Sequence, residues 1–299
     1  MWDSSSRSDR ECKLAAPSTT SSPRSGGARP PGPRSRTPLG QLIPLRRDIL
    51  GFLSMVAREY GDVASFSVGP IGAVLLNHPD HIRDVLLTNH QNFVKGRPLH
   101  LAKQLLGEGL LTSEGEFHAR QLRIVSPAFH LQRLVSYGPV VTGYAMRQSE
   151  GWGEGGSVDM LDEMIRLATA IAGKTMFNWD IDSAAAAGIG KALDDAVSLF
   201  SRVSVPFAEL LLRLPLPSNR RFFRARAHLD AAIYRLIGER RREGRDRGDL
   251  LSMLLLAQDS EGDRGGMTDR QVRDEALTLF LTAFDTVSLA LTWTWYLLA

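Results

Sequence analysis

The chain has 299 residues, 43% of them apolar and 23% charged, with a net charge of +3. That is an ordinary composition for a protein with a sizeable buried core, and so small a net charge gives no reason to expect a nucleic-acid partner. The single cysteine, Cys12, excludes an internal disulfide and any zinc site built from several cysteines.

Residues 1–37 are Ser, Pro, Gly and Arg with almost nothing to bury, so they read as a disordered basic tail. The tail has no apolar core of a secretory signal. Order is expected from Pro38. Ile49, Leu50, Phe52, Leu53 and Val56 recur at helical spacing within Asp48–Tyr60, and Gly61 is the natural stop. Val63–Val68 alternates in polarity, Gly69-Pro70-Ile71-Gly72 turns, and Ala73–Leu76 is apolar again. This predicts a β-hairpin with one buried face. Pro79 opens a helix to Thr88. From Asn89 to about Leu111 the chain reads as loop.

A helix is expected from near Glu114, continuing past Pro127 after a break. Residues 157–246 read as helical almost throughout, punctuated by Pro206, Pro215 and Pro217. The charged run 238–249 reads as a solvated helix end. A short helix over 249–257 and a Gly/Asp loop over 260–267 follow. Thr268-Asp269-Arg270-Gln271 has the form of a capping box and starts a helix that runs to Ala299.

The end of that helix, Leu277–Ala299, carries a single charge, Asp285. Three readings compete. A C-terminal membrane span has the length but places Asp285 near the bilayer centre and dilutes the apolar run with five threonines. A buried core helix explains the apolar residues but not an acid beside an alcohol, Asp285-Thr286, in the middle. Proton delivery explains both. Thr286 can bond the carbonyl of Thr282 and loosen the helix, while Asp285 supplies protons through water.

Thr282-Ala283-Phe284-Asp285-Thr286-Val287 resembles the oxygen-activation helix of the cytochrome P450 family, with Ala283 standing where a glycine is usual. A second run, Glu116–His130, resembles the family's C-helix in Arg123, Pro127, Ala128 and Phe129. There His118 matches the histidine that opens the motif and reaches a heme propionate. Leu122 stands where the second propionate partner, an arginine, is usual. Tyr60-Gly61-Asp62-Val63, Asn77-His78-Pro79-Asp80, Asn92–Arg97 and Gly248–Leu255 add weaker matches in the family's order.

The resemblance implies a mainly α fold with a small β-sheet, the N-terminal portion of a cytochrome P450 fold over residues 38–299. It implies a heme cofactor, a small lipophilic substrate and a separate ferredoxin or flavoprotein as redox partner. Asp285 and Thr286 would be the catalytic pair. His118, Arg123 and Ala283 would meet the heme, with Arg123 or Arg120 left to compensate for Leu122. Lys95, Leu199, Phe200, Phe207, Thr282 and Phe284 would line the substrate pocket. A cytoplasmic protein with no membrane partner is expected. The heme-ligating cysteine is expected beyond Ala299, and Cys12 in its tail is no substitute. Material of this length is therefore expected to show no thiolate-type carbon-monoxide band. Leu279, Phe280, Phe284 and Trp293 are expected to form an exposed apolar patch. A tail-anchored membrane protein and a helical binding protein without iron are the alternatives.

Overall fold

The structure is a computed structural model that describes residues 29–35, 37–180, 212, 214–259 and 265–299. The described part is mainly helical, with a two-stranded antiparallel sheet. It opens on α1 (Leu42–Arg47) and α2 (Ile49–Tyr60). Asp48 caps α2 by accepting the Gly51 N–H at 2.8 Å, and Gly61 ends it at φ +86°. Strands β1 (Val63–Val68) and β2 (Ile71–Leu76) pair from Val63 opposite Leu76 to Val68 opposite Ile71. Phe52 of α2 meets Phe66 of β1 edge-on, with ring centroids 5.3 Å apart, and Val56 and Ala64 complete this small core. Order reaches back beyond Pro38. Ser65 donates its N–H to Pro31 O at 2.8 Å and its hydroxyl to Pro30 O at 2.6 Å.

Helix α3 (Pro79–Arg83) runs on into a π-helical turn at Asp84–Thr88, as the helix read over residues 79–88 requires, and the stretch from Asn89 to about Leu111 reads as loop in the sequence. Residues Arg97–Leu106 instead form a helix, α4. Its pattern Leu101, Ala102, Leu105, Leu106 is buried along one stripe, and Pro98 sits in the first turn, where a missing N–H costs nothing. Helix α5 (Gly115–Val125) leads through a 3-10 turn at Ser126–Phe129 into α6 (Leu131–Glu150). Then come α7 (Met160–Phe177), α8 (Pro217–Glu243), α9 (Leu250–Leu256) and α10 (Asp269–Leu298). The capping box is present: Thr268 accepts the Gln271 N–H, and Gln271 accepts the Thr268 N–H at 2.8 Å.

The main core lies where α7, α8 and α10 meet. Leu105, Ile124, Phe177, Phe222, Ile237, Leu251, Leu277 and Phe280 all belong to it. The charged run 238–249 is not simply a solvated helix end. Arg240 is 5% exposed, donating to Phe177 O at 2.6 Å and to the buried Asp249 carboxylate at 2.5 Å. One guanidinium thus ties the end of α7 to α8 and to the N-cap of α9.

The loop between α4 and α5 lies directly against α10. A Cβ placed on Gly109 would sit 2.2 Å from Thr278 Oγ1 and 2.7 Å from Asp274 O. Gly109→Ala is expected to lower stability by about 1–3 kcal/mol, read as a lower urea midpoint. Gly153→Ala, where a Cβ would meet nothing within 4 Å, should leave the midpoint unchanged within error.

Candidate functional site

The second turn of α10 carries Arg273, Asp274 and Glu275, all buried. Asp274 accepts the Glu108 N–H at 2.9 Å and an Arg273 N–H at 2.8 Å. Arg273 also donates to Asp230 of α8, at 2.7 Å from Nε. Glu275 accepts the Leu110 N–H at 3.1 Å and the Gln121 side-chain N–H at 3.3 Å. Two adjacent carboxylates thus fasten the 107–113 loop and α5 to α10. Burial raises the Glu275 pKa to about 7. Asp274 adds to the rise, while the Leu110 N–H, Gln121 and Lys95 oppose it. Gln121 Oε1 is buried beside this carboxyl without a partner.

The same loop positions His118. Its Nδ1 lies 3.2 Å from Ser113 Oγ. Lys95 donates to Leu110 O at 2.9 Å and to Ser113 O at 2.7 Å, and its own N–H is held by Glu114. Burial first, then the Lys95 ammonium, hold the His118 pKa below the ordinary histidine value. Both effects favour the neutral ring, which can donate and accept a hydrogen bond. Leu122, one helical turn on, is 49% exposed on the same side.

Further along α10, Thr286 donates its hydroxyl to the Thr282 carbonyl at 2.6 Å, the bond that the sequence predicts. Thr282 in turn donates to Thr278 O at 3.0 Å. Thr282, Asp285 and Thr286 are all exposed, and Ala283 is half-buried. Asp285 therefore stands on an exposed side of α10, beside Thr286. An apolar cleft of about 470 Å³ lies between α7, α8 and α10, lined by Phe177, Trp179, Leu229, Leu236, Leu277 and Phe280. At 3.6 residues per turn, Leu277 and Thr286 are on opposite sides of α10, so this cleft does not reach the hydroxyl.

Several sequence-based assignments need correction. Phe284 does not line a pocket: it is 3% exposed and packs 6.4 Å from Phe280, which itself meets Phe177 at 5.6 Å. The expected apolar patch is likewise different. Phe280 and Phe284 are core residues, and the exposed apolar residues are Val287, Leu289, Trp293, Trp295, Tyr296, Leu297 and Leu298. Lys95 is a strut of the 107–113 loop with its ammonium held by two carbonyls. Arg123 grips Asp259, 1% exposed in its side chain, through two bonds at 3.0 and 3.2 Å, so its guanidinium is engaged away from His118. Arg120 reaches the same carboxylate at 3.7 Å. Leu199, Phe200 and Phe207 lie outside the described residues.

Asp274, Glu275, Gln121 and Ser113 were missed. Acids early in a helix ordinarily complement the helix dipole in water, and nothing in their spacing marks these two as buried. The Arg-Asp-Glu triplet directly before the apolar run was the available signal. By length and composition α10 could also cross a membrane, with a mean hydropathy of 1.5. Its first half, however, packs in the core against α7.

The cytochrome P450 family model matches residues 30–299, and the chain belongs to that family. It is 35% identical over 261 residues to cyclooctatin synthase and over 263 residues to cyclooctat-9-en-7-ol 5-monooxygenase, both of Streptomyces melanosporofaciens. It is 30% identical over 263 residues to pentalenene oxygenase of Streptomyces avermitilis. Each match takes in 87% of this chain and 56–57% of the relative, so the chain spans a little over half of their length.

The family implies a heme, and the residues fit it on two sides. A neutral imidazole on α5 suits a propionate oxygen, and the small residues Thr282, Ala283 and Thr286 leave a strip of α10 open to a flat ring. The described residues include no cysteine, and Cys12 lies outside them. They also hold no group of three or more His, Cys, Asp or Glu able to bind a metal ion.

The Glu275 carboxyl makes a testable pH dependence. Its pKa is about 7 in the folded chain against an ordinary 4.5, so folding favours the protonated form. Its stabilising contribution is complete below about pH 4.5 and is lost as pH rises through 7, a change on the order of 3 kcal/mol. Glu275→Gln can accept from Leu110 and donate to Gln121 Oε1 after an amide flip. In urea denaturation this variant should lose most of the wild-type decline in stability between about pH 5 and pH 8. An unchanged decline would show that the carboxylate is charged and solvated throughout.

Proposed function

We propose that the chain is the N-terminal part of a heme monooxygenase that hydroxylates a small lipophilic substrate of the terpenoid type. The observation that carries this reading is the Thr286 hydroxyl bonded at 2.6 Å to the Thr282 carbonyl beside Asp285, on the open strip of an otherwise apolar helix. The names of the relatives, cyclooctatin synthase and pentalenene oxygenase among them, support the oxidation of terpenoids.

Heme, when bound, supplies the iron at which dioxygen is reduced and cleaved. The chain's own residues do the rest of the work assigned to them. Thr286 back-bonds to the Thr282 carbonyl and carries its hydroxyl on the exposed strip. Asp285 adjoins it as an exchangeable proton source. His118 would hold one heme propionate through a ring N–H. Leu122 would add no second bond there, where an arginine would. Electrons come from a separate ferredoxin or flavoprotein, and the setting is the cytoplasm.

The test joins this chain in frame to a cysteine-bearing C-terminal part of the family. The joined protein should take up heme and show a thiolate-type band with carbon monoxide after reduction. With ferredoxin and reductase it should convert a terpene hydrocarbon to an alcohol. Thr286→Val should lower alcohol formed per electron consumed by about tenfold or more while leaving heme uptake intact. A joined protein that binds terpene but no heme would instead mark a binding protein without iron.

A further inference from the structure

Helix α8 is amphipathic in an unusual sense. Its inner face is apolar: Phe222, Ala225, Leu229, Ile233 and Ile237 are buried. Its outer face is almost entirely cationic. At about 100° per residue, Arg220, Arg221, Arg224, Arg235 and Arg242 fall within an arc of about 100°, with His228 among them. All are exposed. The carboxylates of this region bind elsewhere. Asp230 pairs with Arg226 and Arg273, Glu243 with Arg240, Arg245 and Arg247, and Asp246 with Arg133. The half-buried Glu239 lies within the arc, four residues after Arg235 and three before Arg242. Arg224 and Arg242 bond nothing but backbone carbonyls one turn back.

Among the described residues none of these five guanidiniums has an ion pair, and they stand along one side of α8 over about 33 Å from Arg220 to Arg242. A second row runs beside them. Phe223 and Tyr234 are eleven residues apart, which brings them onto nearly the same line, and they are 45% and 43% exposed. Cations in a row with exposed aromatics along one flank are the arrangement of a helix lying at a lipid headgroup layer. Protein interfaces interleave both signs of charge to set register. A row of five arginines with Glu239 as the one acid within it suits a negative plane.

We infer that the outer face of α8 is a docking surface for an anionic lipid bilayer, through Arg220, Arg224, Arg235 and Arg242 with Phe223 and Tyr234 at the headgroup level. This is peripheral contact, and it departs from the sequence-based expectation of no membrane partner. It does not involve the terminal half of α10, and it is independent of the heme assignment.

The test is co-sedimentation of the chain with vesicles of phosphatidylcholine alone and of phosphatidylcholine mixed equally with phosphatidylglycerol. The chain should bind the mixed vesicles and not the neutral ones, and roughly 0.5 M salt should release it. Each arginine near an anionic surface contributes about a fivefold factor. The quadruple variant Arg220→Gln, Arg224→Gln, Arg235→Gln, Arg242→Gln should therefore bind at least about 100-fold more weakly. The corresponding quadruple Arg→Lys variant keeps the charge and should keep binding. Equal, salt-resistant binding to neutral vesicles would overturn the inference in favour of the apolar end of α10. Unchanged binding by the Gln variant would overturn it as well. So would absence of vesicle binding together with salt-sensitive retention on an immobilised acidic ferredoxin, which would assign the face to a protein partner.

Discussion

Asp274 and Glu275 accept the backbone N–H groups of Glu108 and Leu110, and the position of His118 relative to α10 depends on those two bonds. The 107–113 loop has little side-chain core of its own. It is held by carboxylates from above, by the Lys95 ammonium on its carbonyls, and by the closeness that Gly107 and Gly109 permit. Without the carboxylates the loop N–H groups would be buried and unpaired, a cost of about 1–3 kcal/mol each. Neither acid is at ease in this role. Asp274 is balanced by Arg273, which is anchored in turn on Asp230 of α8. Glu275 has no such cation and responds by holding its proton more tightly. The result is a rigid junction between α5, α8 and α10 that contains one titratable weak point.

The faces of α10 divide the work. One side, with Leu277, Phe280 and Phe284, packs into the core against α7. The opposite side presents Thr282, Asp285 and Thr286. From Glu275 to Thr286 the helix advances about 16 Å, so the junction that holds His118 and the strip that carries the hydroxyl belong to one stiff element. Stiffness of this kind matters for any site built on α10, because misplacement by an ångström is expensive in rate.

Much of this was legible in the residues. The capping box at Thr268, the hairpin at Gly69-Pro70, the helix stop at Gly61 and the Thr286–Thr282 bond rest on local chemistry, and local chemistry can be read from one dimension. The burial of Phe284 and Phe280 was not, because an all-round apolar helix has no moment to show which side turns inward. The α4 helix was hidden by Gly96 before it and Pro98 in its first turn. The buried ionic links failed for another reason. Arg123, Lys95, Arg240, Asp274 and Glu275 look like ordinary surface charges, and their partners lie between 9 and 166 residues away in sequence.

The most direct measurement of the central claim is amide hydrogen exchange at Glu108 and Leu110 in the wild type and in a variant with Asp274→Ala and Glu275→Ala. Strong protection of both amides in the wild type, lost in the variant together with protection through Ser113–His118 while α7 stays protected, is the predicted result. Exchange of both amides at the rate of an open loop in the wild type would contradict the account.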